Sequence, residues 1–229
     1  MNLGFWLDCW QHDNIPFHQQ KVEPLLEKYF ACSEKLFAKD KKVFVPFCGK
    51  SLDMLWFADK GYEVIGNEVS AIACESFFQE HKAKLGPVQK ESSAKFIRYF
   101  AKNISIYCGD FYNMEDSYLA DVGFVYDRAA LIALPLTERQ KYASHFLNIL
   151  PKQILMLVIL LTYDQTKAKG PAFSVTFEEL AALYPGFKIS SLESSDRSLP
   201  IDAKTADGTP HLQAGLLRTQ SIHLLNRLE

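Results

Sequence analysis

Features that would direct this chain to a membrane or to nucleic acid are missing from its sequence. Its net charge is only −2, so no excess of positive charge marks a surface for nucleic acid or anionic lipid. The longest apolar run, Ile154 to Leu161, is far shorter than the roughly 20 residues of a membrane span. The N-terminal stretch has no basic segment and carries Asp8 among its apolar residues, unlike a secretory signal. We therefore expect a cytoplasmic protein that binds neither a membrane nor nucleic acid.

Patterns typical of metal sites and disulfide scaffolds are also missing. The five cysteines are odd in number, widely scattered and contain no C-x-x-C pair. The six histidines show no triad or metal-ligand spacing. This distribution favours a reducing compartment. We expect no bound metal, and nothing in the sequence demands more than a monomer.

The most informative segment predicts a strand, a tight turn, a helix and a second strand. Val43–Val45 is β-branched or aromatic throughout, Pro46 ends it, and Gly49 lets the backbone turn sharply against a ligand. Ser51 can cap the helix, and the second strand ends on Glu68, about 20 residues after the glycine, the spacing expected for a ribose-binding acid. A carboxylate at that place can accept hydrogen bonds from ribose hydroxyls. The unit therefore predicts an adenosine-type ligand between Gly49 and Glu68.

Glycine is scarce in this turn, and its scarcity narrows the choice of ligand. Dinucleotide folds use G-x-G-x-x-G because a pyrophosphate must lie on bare backbone at a helix N-terminus, and here only Gly49 is present. A ligand without a pyrophosphate fits better, which leaves a nicotinamide-dependent oxidoreductase as the disfavoured alternative. Gly49-Lys50-Ser51 is not a P-loop, because Phe44 stands where that motif needs its first glycine.

Several separated segments carry a more specific signal. They are Trp6–Gln19, Pro46–Ser51, Trp56–Gly61, Val64–Ser70, Tyr107–Tyr112, Tyr126–Leu131, Thr162–Lys167 and Gly170-Pro171. In this order they resemble the thiopurine S-methyltransferase family, especially its bacterial members. The resemblance covers most of the chain from Trp6 to about Glu179 and is loose in the C-terminal quarter. It implies a class I methyltransferase with S-adenosyl-L-methionine as its cofactor.

Predicted strands and helices alternate along the chain, which indicates an α/β fold with a mostly parallel sheet and helices on both faces. We expect one domain over residues 1–229. Phe96–Ala101 is expected as a short extra strand or hairpin, after a polar connection. The last two strands, Phe187–Leu192 and Leu216–Leu225, have no helix between them, which indicates an antiparallel strand.

The resemblance adds a specific architecture to this fold class. It implies a Rossmann-like methyltransferase core over residues 37–229, with a seven-stranded sheet in the order 3-2-1-4-5-7-6. It also implies that residues 1–36 form an N-terminal helical lid. Trp6 and Trp10 lie at helical spacing, so they either pack the helix onto the domain or close over a flat aromatic ligand together with Phe17.

Residues that follow the strands supply the candidate site, because open α/β sheets bind ligands there. Asp110 suits the adenine amino group, and Phe111 beside it either packs on the ring or belongs to the core. Arg128 offers fixed donors to the cofactor carboxylate or to the substrate, with an ion pair to a neighbouring acid as the alternative. Asp127 either orients Arg128 or acts as a base. Cys48 is disfavoured as a nucleophile, because methyl transfer needs no enzyme thiol.

The family's contacts can be carried onto matching positions. By resemblance, the cofactor contacts fall on Trp10, Phe47, Glu68, Asp110, Phe111 and Arg128, with Trp6 also nearby, and the substrate contact falls on Phe17. Gly49 joins the predicted cofactor contacts as the residue of the tight turn. A further acceptor-site arginine of the family falls on Arg197 or Arg218, and the sequence leaves this choice open.

The resemblance implies transfer of a methyl group to the sulfur of a small aromatic or heterocyclic thiol such as a thiopurine, with selenium or tellurium compounds as a wider option. Aromatic thiols ionise readily, so direct in-line displacement depends mostly on orientation and exclusion of water. Arg128 and Asp127 are the expected catalytic residues, in orienting and stabilising the acceptor. A non-catalytic sensor that binds S-adenosylmethionine is the alternative from another class.

Overall fold

Nine strands form one mixed sheet in the computed structural model, which describes residues 2–38, 40–197 and 218–227. The strands are β1 (Lys42–Val45), β2 (Val64–Glu68), β3 (Gln89–Ser92), β4 (Ile97–Ala101), β5 (Ile104–Cys108), β6 (Val122–Arg128), β7 (Leu155–Thr162), β8 (Phe187–Arg197) and β9 (Arg218–Arg227). The α-helices are α1 (Leu3–Gln11), α2 (Pro24–Glu34), α3 (Leu52–Asp59), α4 (Ala71–Glu80), α5 (Lys82–Leu85), α6 (Asp116–Leu119), α7 (Leu136–Ile149) and α8 (Phe177–Leu183).

The sheet order confirms the predicted architecture and extends it at one edge. Seven strands lie in the order β5-β2-β1-β6-β7-β9-β8, which is the expected 3-2-1-4-5-7-6 arrangement. Five of them are parallel, and β9 runs antiparallel to both β7 and β8. The hairpin of β3 and β4 adds two antiparallel strands beside β5. β3 lies in a stretch that the sequence predicts to be a polar connection. All its side chains are exposed, so the sequence there shows no alternation of apolar and polar residues that would predict a strand.

Both faces of the sheet are covered by apolar packing. Along β1, Val43 and Val45 belong to the cluster that includes α2, α3 and α4, whereas Phe44 belongs to the cluster that includes α7 and α8. Strand β7 is buried from Leu155 through Leu161, as expected of a central strand covered on both sides. The strand ends are therefore where the sheet can offer backbone and side chains to a ligand.

The two N-terminal helices pack in different ways. In α2, the side chains of Leu25, Leu26 and Phe30 are buried in the core, and the Phe30 ring lies 5.3 Å from that of Phe124 in β6. In α1, Trp10 is buried while Leu7 is exposed. Within the segment expected as a lid, it is therefore α1 and the loop after it, rather than α2, that lie over the strand ends.

The described helices are short. The longest of them, α7, has 14 residues. Within the described part of the chain, no helix combines the length and the apolar character that a membrane span requires.

His223 in β9 provides a test of the packing through pH. Its side chain is 3% exposed, and its ring nitrogens lie 3.0 Å from Ser191 Oγ and 2.8 Å from Ser221 Oγ. Burial lowers the pKa of His223 from 6.5 to about 4. The unfolded chain therefore takes up this proton at a higher pH than the folded chain. Through His223, the folded state loses up to about 1.4 kcal/mol per pH unit as the pH falls across this window.

We expect the free energy of unfolding to fall more steeply from pH 6.5 to pH 4 in the parent protein than in His223→Gln. Urea denaturation at several pH values measures both slopes. Burial also raises the pKa of Asp127 to about 6, and this makes the folded state more stable as the pH falls, the opposite of the effect of His223. Because both proteins contain Asp127, its contribution cancels in the difference between their slopes. Parallel curves for the two proteins would contradict the assignment.

Candidate active site at the carboxyl ends of the strands

A cavity of about 220 Å³ lies where the parallel strands end. The turns after β1, β2, β5 and β6 line one side of it, and α1 with the following loop covers it. The loop after β7 contributes Pro171 and Ala172, and β9 contributes Arg218. This is the position at which open α/β sheets bind ligands, and its walls are mostly apolar.

The turn after β1 brings bare backbone under the cover of α1. Gly49 has φ +51°, and a Cβ there would lie 3.0 Å from Cζ2 of Trp10, so both the conformation and the space call for glycine. Phe47 also has positive φ, at 46°, and its ring lies 5.4 Å from that of Phe111. The turn thus combines close access to the backbone with an aromatic wall.

Glu68 is fixed at the end of β2 by two backbone donors. The N–H of Gly49 donates to Oε2 at 2.9 Å, and that of Ser70 donates to Oε1 at 2.8 Å. The side chain lines the cavity and is 5% exposed. Burial raises the pKa of Glu68, and the hydrogen bonds from Ser70 and Gly49 oppose that rise. Each carboxylate oxygen keeps a further acceptor site, which suits a pair of hydroxyl groups.

Arg128 is held at the end of β6 by an acid from another element. Its Nε donates to Oδ2 of Asp53 at 2.8 Å, and its Nη2 donates to Oγ of Ser51 at 3.1 Å. Oδ1 of Asp53 accepts the backbone N–H of Glu23 at 2.9 Å. Burial lowers the pKa of Arg128, but the charges of Asp53, Tyr126 and Glu23 and the hydrogen bond to Asp53 together outweigh this, and the pKa is raised. Arg128 is thus a fixed cation that also lines the cavity.

Asp127 has a different place from the one expected. It is fully buried, and it accepts hydrogen bonds from the Leu131 N–H at 3.0 Å and the Tyr142 hydroxyl at 2.9 Å. Successive strand residues point to opposite faces, so Asp127 points away from Arg128 and does not line the cavity. The interpretation that Asp127 orients Arg128 is therefore corrected, because Asp53 does so. Its use as a base toward a substrate in the cavity is not supported by this position.

The aromatic residues of the N-terminal segment meet over the cavity. Phe17 lies edge-to-face with Trp6, at a ring-centroid distance of 5.5 Å, and with Trp10, at 5.6 Å. All three side chains line the cavity. Trp10 is 6% exposed and packs on the domain while it lines the cavity, and closure of the two tryptophans over a flat aromatic ligand stays a prediction.

The turn after β5 brings one predicted residue to the cavity and leaves another beside it. Phe111 is 1% exposed and packs among core rings, and it also lines the cavity. Asp110 accepts the backbone N–H of Tyr112 at 3.0 Å and does not line the cavity, whereas Gly109 does. A contact between Asp110 and adenine stays a prediction.

Lys50 and His18 line the cavity and have no role predicted from the sequence. Each comes directly after a predicted site residue, Gly49 or Phe17, and this adjacency is the signal that could have found them. Arg218, one of the two candidates for the acceptor-site arginine, also lines the cavity.

Arg218 lies in the cavity wall and is 4% exposed. Its guanidinium carbon is 5.5 Å from the ring centroid of Tyr163, and within the described residues its buried Nε has no hydrogen-bond partner. Burial lowers the pKa of Arg218, and Tyr163 opposes that effect. Arg197 is its register partner in β8, and the side chain of Arg197 lies outside the described residues.

Lys50 and Arg128 line the cavity but are paired with Glu80 and Asp53, which leaves Arg218 as the lining cation without an acidic partner among the described residues. Arg218 therefore gives the cavity a positive charge that can attract an anionic group of a ligand. The Cys48 thiol also lines the cavity, and burial raises its pKa well above the usual range, so it is not a thiolate nucleophile. In the described ranges, no three His, Cys, Asp or Glu side chains form a metal-ligand cluster.

Comparison with known proteins shows which family the sequence of this chain matches. The model of the family described as Thiopurine S-methyltransferase matches residues 1–220. A protein of that name from Nitrosospira multiformis is 41% identical over 184 residues, covering 80% of this chain and 81% of the relative. Another, from Methylococcus capsulatus, is 36% identical over 220 residues, covering 95% and 94%. The magnesium protoporphyrin IX methyltransferase of Synechocystis, with bound SAH, has a TM-score of 0.63 at 12% identity and covers 99% of this chain and 100% of that chain, a likeness of fold alone.

Proposed function

Because the chain belongs to the thiopurine S-methyltransferase family and is an S-adenosylmethionine-dependent methyltransferase, we propose that it methylates the sulfur of aromatic or heterocyclic thiols. The observation that carries the proposal is the buried Glu68 carboxylate, held by the N–H groups of Gly49 and Ser70 under an aromatic cover. Membership of this family sets aside the nicotinamide-dependent oxidoreductase.

The residues present fit the adenosyl part of the cofactor. Glu68 would accept the two ribose hydroxyl protons, and Gly49 would let the ligand lie close to the backbone beneath Trp10. Phe47 and Phe111 would pack against the adenine ring. When bound, S-adenosylmethionine supplies a methyl group activated by its sulfonium sulfur.

The acceptor would occupy the part of the cavity beside the aromatic cover. Trp6 and Phe17 offer apolar faces to a flat ring. Arg128, fixed by Asp53, would pair with the carboxylate of the cofactor or with an anionic acceptor, and Arg218 would stabilise the acceptor's negative charge. The protein then contributes orientation and exclusion of water, which are the main requirements for displacement by an ionised thiol.

The experiment is transfer of radiolabelled methyl groups by the purified chain to thiophenol and 6-mercaptopurine, with phenol as the matched oxygen acceptor. We expect transfer to both thiols and none to phenol, because sulfur is the more polarisable nucleophile. Selenite and tellurite test the wider range of acceptors in the same assay. Cofactor binding without transfer to any of these acceptors would contradict the proposal and favour the sensor.

A further inference from the structure

His18 differs from the other histidines of the described chain in its position at the cavity. Among the described residues that line the cavity it is the one imidazole, and it directly follows Phe17. Its backbone N–H donates to the carbonyl of Ile15 at 2.9 Å, which fixes this turn. Within the described residues no hydrogen bond occupies either ring nitrogen of His18. By contrast, the rings of His12, His145 and His223 all have hydrogen-bond partners, and His81, whose buried Nε2 has none within the described residues, does not line the cavity.

The surroundings of His18 favour its neutral form. Burial lowers its pKa first, and the cations Lys50 and Arg128 and the neighbouring His81 lower it further, while Glu80 alone opposes them. Nζ of Lys50 is itself paired with Glu80 at 2.7 Å, so that acid is shared. A neutral ring with a free nitrogen in the cavity can accept a proton.

The other titratable groups at the site are engaged or unsuited to this role. Glu68 holds two backbone N–H groups and is assigned to ribose. Asp127 does not line the cavity, and burial raises the pKa of Cys9, Cys48 and Tyr126, which keeps these lining groups protonated. Lys50 and Arg128 carry charge and have acidic partners. His18 is left as the group that can act as a base at neutral pH.

We propose that His18 is the general base for acceptor thiols that reach the site still protonated. The inference rests on the proposed function and deepens it by widening the acceptors from ionised aromatic thiols to weakly acidic ones. The thiol proton passes to a ring nitrogen of His18, and the sulfur electron pair forms the bond to the methyl carbon. The bond from that carbon to the sulfonium sulfur breaks, and its electron pair leaves with S-adenosylhomocysteine. The imidazolium then releases its proton to water, which the nearby cations favour.

The proposal predicts an effect that depends on the acidity of the acceptor. We expect His18→Gln to lower kcat/KM less than about threefold for 4-nitrothiophenol, which is ionised at neutral pH, and by about 100-fold for benzyl thiol. Raising the pH toward the pKa of the thiol should restore part of the loss. The matched control is His12→Gln, an exposed histidine whose ring bonds to the Asp8 carbonyl outside the cavity, and it should change neither value.

A purely structural role for His18 would lower kcat/KM by the same factor for every thiol at every pH, and that result overturns the proposal. A second readout is the pH profile of kcat/KM for benzyl thiol. In the parent protein kcat/KM should change little between the pKa of the imidazole and that of the thiol, whereas in His18→Gln it should rise about tenfold per pH unit over the same range, because only the thiolate then reacts. Equal profiles for the two proteins contradict the role of His18, whereas absence of methyl transfer to any thiol by the parent protein contradicts the proposed function instead.

Discussion

Replacement of Glu68 by glutamine is expected to weaken binding of S-adenosylhomocysteine by about 100-fold. Hydrogen bonds to a charged acceptor contribute roughly 1.5–3 kcal/mol each, and the ribose would make two of them. The substitution also places an amide NH2 where the carboxylate now accepts the N–H of Gly49 or of Ser70, so two donors would face each other. The weaker acceptor and the clash of donors both weaken the contact between the side chain at position 68 and the ribose.

Calorimetric titration of the purified proteins measures the loss. Glu63→Gln is the matched control, because Glu63 comes just before the other end of β2, is 64% exposed on its side chain and pairs with Lys42 at 3.2 Å. Its affinity should equal that of the parent protein. If Glu68→Gln bound the ligand within threefold of the parent protein, the ribose role of Glu68 would be wrong.

Asp53→Asn is expected to destabilise the fold by about 3 kcal/mol and to abolish most methyl transfer. The side chains of Asp53 and Arg128 are 1% and 12% exposed, and removal of one partner of a buried pair leaves the other charge uncompensated. Asparagine keeps the shape of the side chain and can still accept the Glu23 N–H. The loss therefore reports on the charge that holds Arg128 in place.

Urea denaturation of two further variants separates the loss of the buried Asp53–Arg128 pair from the general effect of removing an acid from α3. Asp59→Asn removes an exposed acid, paired with Lys84, from the same helix, and it should cost less than about 1 kcal/mol. In the double variant Asp53→Asn/Arg128→Met, the unpaired cation is also gone, so more than half of the lost stability should return without activity. Equal effects of Asp53→Asn and Asp59→Asn would contradict the buried pair.

The parts of the fold that depend on local pattern could be predicted from the sequence. The strand before Pro46, the glycine at position 49 and the acid at the end of β2 all lie within one short segment, and the structure brings them together. The order of the central seven strands came from the resemblance, because spacing along the chain does not determine which strands become neighbours. The sequence does not predict strand β3, since its exposed side chains show no period of two.

The parts of the site that depend on long-range packing could not be predicted. Asp53 meets Arg128 across 75 positions of sequence, and nothing near either residue indicates the other. Asp127 is predicted for the site because it lies at the end of a strand beside Arg128, yet alternation along β6 turns it to the opposite face. Arg218 reaches the cavity because β9 is inserted beside β7, which a local pattern does not show.

A crystal structure of the complex with S-adenosylhomocysteine is the most direct test of how this chain holds its cofactor. We predict that both ribose hydroxyls lie within hydrogen-bond distance of the Glu68 oxygens and that the ligand lies close to the protein backbone at Gly49. The thioether sulfur should face the space beside Phe17. Adenosyl density at any other place, or a Glu68 carboxylate with no contact to the ribose, would contradict the account.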